Sequence, residues 1–342
     1  MDILKSVQEK ISLLDSDIVP LGLKAVLAHI EIAEKYFFRA KKERDPHLFT
    51  DVIYRTNHAF EGILKEAFSV FQEVDPNNKT SYEIEDFLSR NSVLRERVME
   101  LFTNYRKNWR NPSTHDYQLF FSEQEAFLAI VTVTAFVSIL SDQMVETIVR
   151  KAEKQRFENR AKDILAAVSN YDSLPPIEKV SSLLMQFSQE ILPNIDRIME
   201  RPDSQILGMV AGFLESVAPD IQIIVEPEKP SKEEILKPDL IIELDKQKVV
   251  VELRKERIRP DYEEETRKHI ISQMNQYLHQ HKMNQGIIYY FPLLPTDTIV
   301  VEHTSGSLQR NKINIRTIFS GAYDKQAAQE SSEYTTHSQS PE

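Results

Sequence analysis

The 342-residue chain is 41% hydrophobic, carries a formal net charge of −11 and contains no cysteine. Its length exceeds what one hydrophobic core commonly organises, so two domains are expected, and the missing thiols exclude a disulfide framework and any cysteine-ligated zinc or iron–sulfur centre. The acidic balance excludes indiscriminate polyanion binding by the molecule as a whole, so any nucleic-acid contact has to be local.

The opening MDILKSVQEK has neither the basic start nor the apolar run of a secretory signal, and the expectation is a cytoplasmic protein with no membrane segment. From about residue 21 to 150, apolar residues recur every three or four positions, as at Leu23, Val26, Leu27, Ile30, Ala33 and Phe37, which predicts helices near 21–45, 47–74, 80–104 and 123–150. Asp75-Pro76-Asn77-Asn78 breaks the second from the third. The apolar stretch 126–140 is too short to span a bilayer and reads as a buried helix. Residues 151–202, interrupted by Pro175-Pro176 and Pro193, suit a helical connector.

After Arg201-Pro202 the period changes. A helix at about 204–217 precedes β-branched runs at 221–225, 240–244 and 249–253, the last two close enough across Asp245-Lys246-Gln247 to form a hairpin. A charged helix at about 261–282 follows, then strands at 286–291 and 298–302, giving the order α-β-β-β-α-β. Beyond about residue 321 the chain is rich in Gln, Ser and Thr and is expected to be disordered. The expected division is 1–150 helical domain, 151–202 connector, 203–320 α/β domain and 321–342 tail.

Two constellations carry chemistry. In the second domain Asp239 opens a strand and Glu252 lies on the next, so both carboxylates reach one end of a small sheet, while alternation places Glu252 and Arg254 on one face and Leu253 on the other. Pro238-Asp239 followed by Glu252-Leu253-Arg254 resembles the signature of PD-(D/E)XK nucleases, whose core has this same α-β-β-β-α-β order. Gln273 and Tyr277, one helical turn apart, reproduce the QxxxY element of the RecB-like branch. The resemblance implies Asp239 and Glu252 as ligands of Mg2+ or Mn2+, Glu215 as a third, and Gln273 and Tyr277 as residues that hold substrate or the site. The family's lysine position is occupied by Arg254, which stays protonated and cannot accept a proton; Lys255, one place on, reaches the site only if the strand bulges.

In the first domain Arg110 and His115 are separated by four residues, a spacing that on an unbroken helix leaves them about 140° apart; Pro112 is expected to break the helix and let a local turn bring the two side chains together. Arg110-Asn111 with His115 resembles the RNxxxH form of the HEPN ribonuclease motif, and the four-helix pattern agrees. That resemblance implies Arg110 and His115 as catalytic residues needing no metal, Asn111 and Glu61 (with Asn57) as polar partners on the substrate side, and a homodimer that brings two motifs together. Trp109, the sole tryptophan, is read as core. With only seven glycines and no glycine-rich phosphate loop, a P-loop nucleotidase is excluded.

The expected fold class is therefore multidomain, a HEPN-like N-terminal helical bundle plus a restriction-endonuclease-like α/β core. The expected function is a metal-dependent nuclease acting on DNA or RNA, with a role in prokaryotic antiviral defence implied by the pairing of families. Two alternatives stand beside it: a metal-independent HEPN ribonuclease with a C-terminal recognition domain, and a non-catalytic dimeric nucleic-acid-binding or scaffold protein.

Overall fold

A computed structural model of the protein describes residues 3–12, 20, 22–90, 93–115, 118–194, 200–227, 237–255, 263–292, 299–308 and 311–320. The chain is multidomain: one compact unit comprises Met1–Lys151 with Pro202–Gly208, the other Ala152–Arg201 with Met209–Glu342. The first is helical and the second α/β. Residues 152–201, expected as a connector, thus count with the sheet.

In the helical unit, α1 (Ile3–Ser12) precedes the long pair α2 (Leu23–Glu43) and α3 (His47–Gln72). The turn between the two closes on Arg44, which takes a left-handed conformation at φ 57° and caps α2 through its N–H on Ala40 O. Phe60 of α3 is the hub of the core, with ring centroids 4.7 Å from Tyr105, 5.7 Å from Phe102 and 5.2 Å from Phe136. Side chains of this kind, fully withdrawn from water, each stabilise the fold by roughly 1.5–3 kcal/mol.

The helix expected over 80–104 is two helices, α4 (Ser81–Arg90) and α5 (Glu96–Tyr105). Arg95 is extended at φ −61°, ψ 154°. The buried side chain of Gln143 satisfies the break: it accepts the Arg95 N–H at 3.2 Å and donates to Val93 O at 2.6 Å. Periodicity on either side of the gap could not reveal a partner 50 residues away.

Pro112 also acts otherwise than expected. Helix continues through it: α5 passes into a π-helical turn, Arg106–Arg110, and then α6, Asn111–His115. The Asn111 N–H bonds Arg106 O, five residues back. In α geometry a proline ring collides with the carbonyl four residues before it and offers no N–H; the wider turn relieves that collision without ending the helix. The Ser113 and Thr114 hydroxyls bond Arg110 O at 3.0 and 2.8 Å.

Helix α7 (Glu123–Glu158) runs 36 residues. It starts at a capping box: Ser122 Oγ accepts the Glu125 N–H at 3.3 Å while Glu125 accepts the Ser122 N–H at 2.8 Å, an arrangement stabilising by about 1 kcal/mol. By length and composition α7 could cross a membrane, but 61% of its most apolar 18-residue window is buried inside the protein.

Among its described residues the second unit holds α8 (Ala161–Ala166), α9 (Pro176–Ile191), α10 (Asp203–Val217) from Met209 onward, α11 (Glu263–Gln280) and six strands: β1 (Gln222–Val225), β2 (Leu240–Leu244), β3 (Gln247–Arg254), β4 (Gln285–Tyr290), β5 (Ile299–Leu308) and β6 (Asn311–Ser320). The strand order is β1-β2-β3-β4-β6-β5. β1–β2–β3 is an antiparallel meander, β3, β4 and β6 are parallel, and β5 returns antiparallel to β6. β6 was not anticipated from the sequence. The β2–β3 turn is two residues, Asp245 and Lys246, both left-handed at φ 52° and 61°, the geometry that matches strand twist in tight hairpins.

The sheet has helices on both faces. Val250, Ile288 and Tyr290 pack with Ile270, Met274, Tyr277 and Leu278 of α11. Gly286 permits that approach, since a Cβ there would lie 2.6 Å from Met274 Sδ. On the other face α9 contributes Phe187, 6.4 Å from Tyr289 between ring centroids, and Ser188, whose hydroxyl shares a 2.7 Å hydrogen bond with the buried Tyr289 hydroxyl.

Candidate active site

The hairpin register decides the position of the two acidic residues. Leu240 pairs with Val251, so Asp239, one residue before β2, stands opposite Glu252. Asp239 Oδ2 accepts the Leu253 N–H at 2.7 Å, and the Asp239 backbone N–H in turn donates to the Glu252 carboxylate. Each acid is thus held by the other's strand.

Alternation on β3 turns Glu252 and Arg254 to the α11 face. There Arg254 Nη2 lies 2.9 Å from Glu252 Oε1 and donates to Gln273 Oε1 at 2.6 Å. Gln273 Nε2 donates to the Tyr277 hydroxyl at 2.7 Å, and that hydroxyl donates to Glu252. The four side chains close a ring: arginine to amide, amide to phenol, phenol to carboxylate, carboxylate to arginine. The i,i+4 spacing of Gln273 and Tyr277 supplies one edge, and the packing of α11 supplies the rest.

Electrostatics mark Glu252 as the unusual member. Burial, and next the negative charge of Asp239, push its carboxyl up to about 7, against the opposing pull of Arg254 and the two hydrogen-bond donors. Its Oε2 is buried without a hydrogen-bond partner, as is Arg254 Nε. Tyr277 is pushed up to about 12 by burial and by the Glu252 charge.

The expected Lys255 stays outside the ring. Lys255 lies just past β3 with its Nζ donating to Arg201 O at 2.8 Å, which is the consequence of undisturbed alternation: no bulge turns it toward Glu252. Glu215 on α10 is half-buried, and among the described residues no group of three or more His, Asp or Glu side chains is placed to share a metal ion. The acidic pair is Asp239 with Glu252.

The helical unit holds a second cluster. Arg110, closing the π turn, places Nε 3.5 Å from Glu61 Oε1 and 3.6 Å from Glu85 Oε1, and Arg106 lies 3.6 Å from the other oxygen of Glu85. Burial raises the Glu85 pKa, with Arg110 and then Arg106 opposing the shift. Asn57 does not touch Arg110; its amide donates to Ser113 Oγ at 2.7 Å and its oxygen accepts from Tyr105 at 3.1 Å. Asn111 is exposed, 3.4 Å from Arg110 Nη1, and Trp109 is buried beside Tyr105. His115 ends α6, and its side chain lies outside the described residues. Glu85 was missed from the sequence. Its only trace there is an acid beside the apolar stripe of Ile84 and Leu88.

Comparison of the chain with family models, with curated proteins and with solved structures returns no match.

Proposed function

We propose that the α/β unit is a divalent-metal-dependent nuclease site of the PD-(D/E)XK type, built on Asp239, Glu252 and Arg254. The observation that carries this reading is the closed ring of Arg254, Gln273, Tyr277 and Glu252 beside Asp239, at the junction of a β-hairpin and the helix packed on it. Two adjoining carboxylates, one with a buried and partnerless oxygen, form a donor set suited to a hard cation, which takes its remaining ligands from water and phosphate oxygens. When bound, such an ion polarises the scissile phosphate and acidifies water.

The chain's own residues supply the rest. A Glu252 carboxyl titrating near 7 has to lose its proton to act as a ligand, so metal uptake releases a proton and strengthens as pH rises. Arg254 stays charged; its role is to hold Glu252 in place and to offset phosphate charge, with proton acceptance left to other groups. Gln273 and Tyr277 keep the guanidinium and the carboxylate in register.

Incubation of labelled single- and double-stranded DNA and RNA with the full chain, in Mg2+ and in EDTA, tests the proposal. Metal-dependent cutting that disappears with Asp239→Ala supports it; cutting undiminished by that change removes it.

A second reading, a metal-independent HEPN-type ribonuclease in the helical unit, is favoured by one observation. Arg110 is anchored through Glu61, the polar partner expected for it. EDTA-resistant RNA cleavage abolished by His115→Ala would support that reading.

A further inference from the structure

Among the described residues, an apolar groove of the helical unit lies uncovered between α2 and α7. Its volume is about 1040 Å³, and Glu34, Phe37, Phe38 and Lys41 of α2 line one side, with Phe127 and Val131 of α7 on the other. Phe38 is 68% exposed and Phe127 52%, large values for aromatic side chains that stand together. Phe37 forms the floor, its ring 6.1 Å from that of Phe127. None of these residues belongs to either polar cluster.

We propose that this groove is a self-association surface, occupied by the α2 ridge of a second copy of this chain. The order of residues along the ridge identifies the occupant. Positions 34, 37, 38 and 41 are one helical stripe, i, i+3, i+4, i+7, and they read acid, Phe, Phe, base. Glu34 and Lys41 sit equally far from the midpoint of the phenylalanine pair. A two-fold axis through that midpoint sets two α2 helices antiparallel, lays Glu34 of each copy opposite Lys41 of the other, and inserts each Phe38 into the facing groove. A parallel arrangement would set like charge on like. The stripe is complementary to itself in one orientation, as an isologous interface requires.

Lys41 is already paired with Glu123 of its own chain at 2.6 Å, both about half exposed. In the dimer it is shared between Glu123 and the partner copy's Glu34. The apolar surface supplies the attraction; the two charge pairs decide orientation, since exposed pairs add little to affinity.

Sedimentation velocity on the full chain, run over a range reaching about 100 μM, tests this. The expected result is a dimer, dispersed to monomer by Phe38→Glu. Glu34→Lys and Lys41→Glu, each placing like charges opposite one another, weaken self-association about tenfold, and mixing these two variants restores dimer because each then meets its opposite. All three positions lie at the surface or half-buried, and unchanged circular dichroism separates lost association from lost folding. A chain that stays monomeric throughout that range overturns the proposal, as does a dimer untouched by Phe38→Glu or one whose charge variants fail to recover on mixing. Because the chain has no cysteine, Phe38→Cys adds an independent reading. Next to the axis the two introduced thiols link covalently on oxidation, whereas a thiol at exposed Tyr82 of α4 does not; equal linking at both sites counts against the surface.

Discussion

Each unit contains an arginine paired with a buried carboxylate, and the two clusters are built to different tolerances. In the sheet unit Arg254 meets its partners at 2.6 and 2.9 Å, and Gln273 links its guanidinium to the Tyr277 hydroxyl through hydrogen bonds of 2.6 and 2.7 Å. In the helical unit the nearest approaches of Arg110 Nε to Glu61 and Glu85 are 3.5 and 3.6 Å; each cluster also holds two buried atoms without a hydrogen-bond partner, Arg110 Nε and Glu85 Oε1 in one, Arg254 Nε and Glu252 Oε2 in the other. The first cluster is held by backbone register on two strands and by a helix clamped onto them. The second joins three separate helical segments whose mutual fit is set by apolar packing, which leaves polar tips loosely placed. Long ion pairs and one 3.4 Å hydrogen bond to Asn111 hold Arg110; shorter contacts hold Arg254. Preorganised dipoles are what transition-state stabilisation requires, so the comparison favours the sheet unit as the seat of chemistry.

The sharpest way to break that comparison is Asp239→Asn, which keeps an acceptor for the Leu253 N–H but removes one of the two adjoining charges. Metal-dependent cleavage should fall by about 10³-fold or more with thermal unfolding little changed. Should cleavage instead survive and vanish with Arg110→Ala, the assignment of the two clusters is reversed.

Tyr277→Phe probes the ring itself. It deletes the phenol that Gln273 donates to and that donates to Glu252, so kcat is expected to drop about tenfold. Its alkaline shift marks a positioning role: with one donor to the carboxylate gone, Glu252 titrates higher and the acid limb of the pH–rate profile moves up. A uniform loss of activity at every pH would point to damaged folding.

In the helical unit Arg110→Ala should act on stability. It leaves Glu85 buried with Arg106 as its remaining cation, a cost on the order of 1–2 kcal/mol, visible in urea unfolding. Metal-dependent cleavage per folded molecule should not change.

The smallest effect concerns pH in EDTA. The folded-state pKa of Glu252 is raised to about 7 from an ordinary 4.5, so between those values the native state binds more protons than the unfolded one. The contribution of Glu252 to stability is present below pH 4.5 and is lost as pH rises through 7. The Tm of wild type relative to Glu252→Gln should therefore fall by a few degrees between pH 5 and pH 8. Burial raises Glu85 and Glu153 as well, but that background is common to both proteins and cancels in the difference.

Local patterns were enough to place α2, α3 and α7 and the strands β1 to β4, because each rests on contacts within a few residues or on a period of burial. The same alternation put Glu252 with Arg254, and the same helical spacing put Gln273 with Tyr277. What only tertiary structure decided is how those pairs meet. The docking of α11 across Gly286 turns two local pairs into one ring and has no local signature, whereas the short turn at Asp245-Lys246 already announced the hairpin that sets Asp239 opposite Glu252. The break near Arg95, satisfied from α7, the π turn that carries helix through Pro112, and the burial of Glu85 beside Arg110 likewise depend on partners tens of residues away. β6 was missed for a related reason: its runs of alternation at Ile313, Ile315 and Ile318 mix with polar residues, and it becomes a strand by pairing between β4 and β5. Short-range physics writes the elements into a sequence; which buried polar groups find one another is settled only when the packed elements bring them into reach.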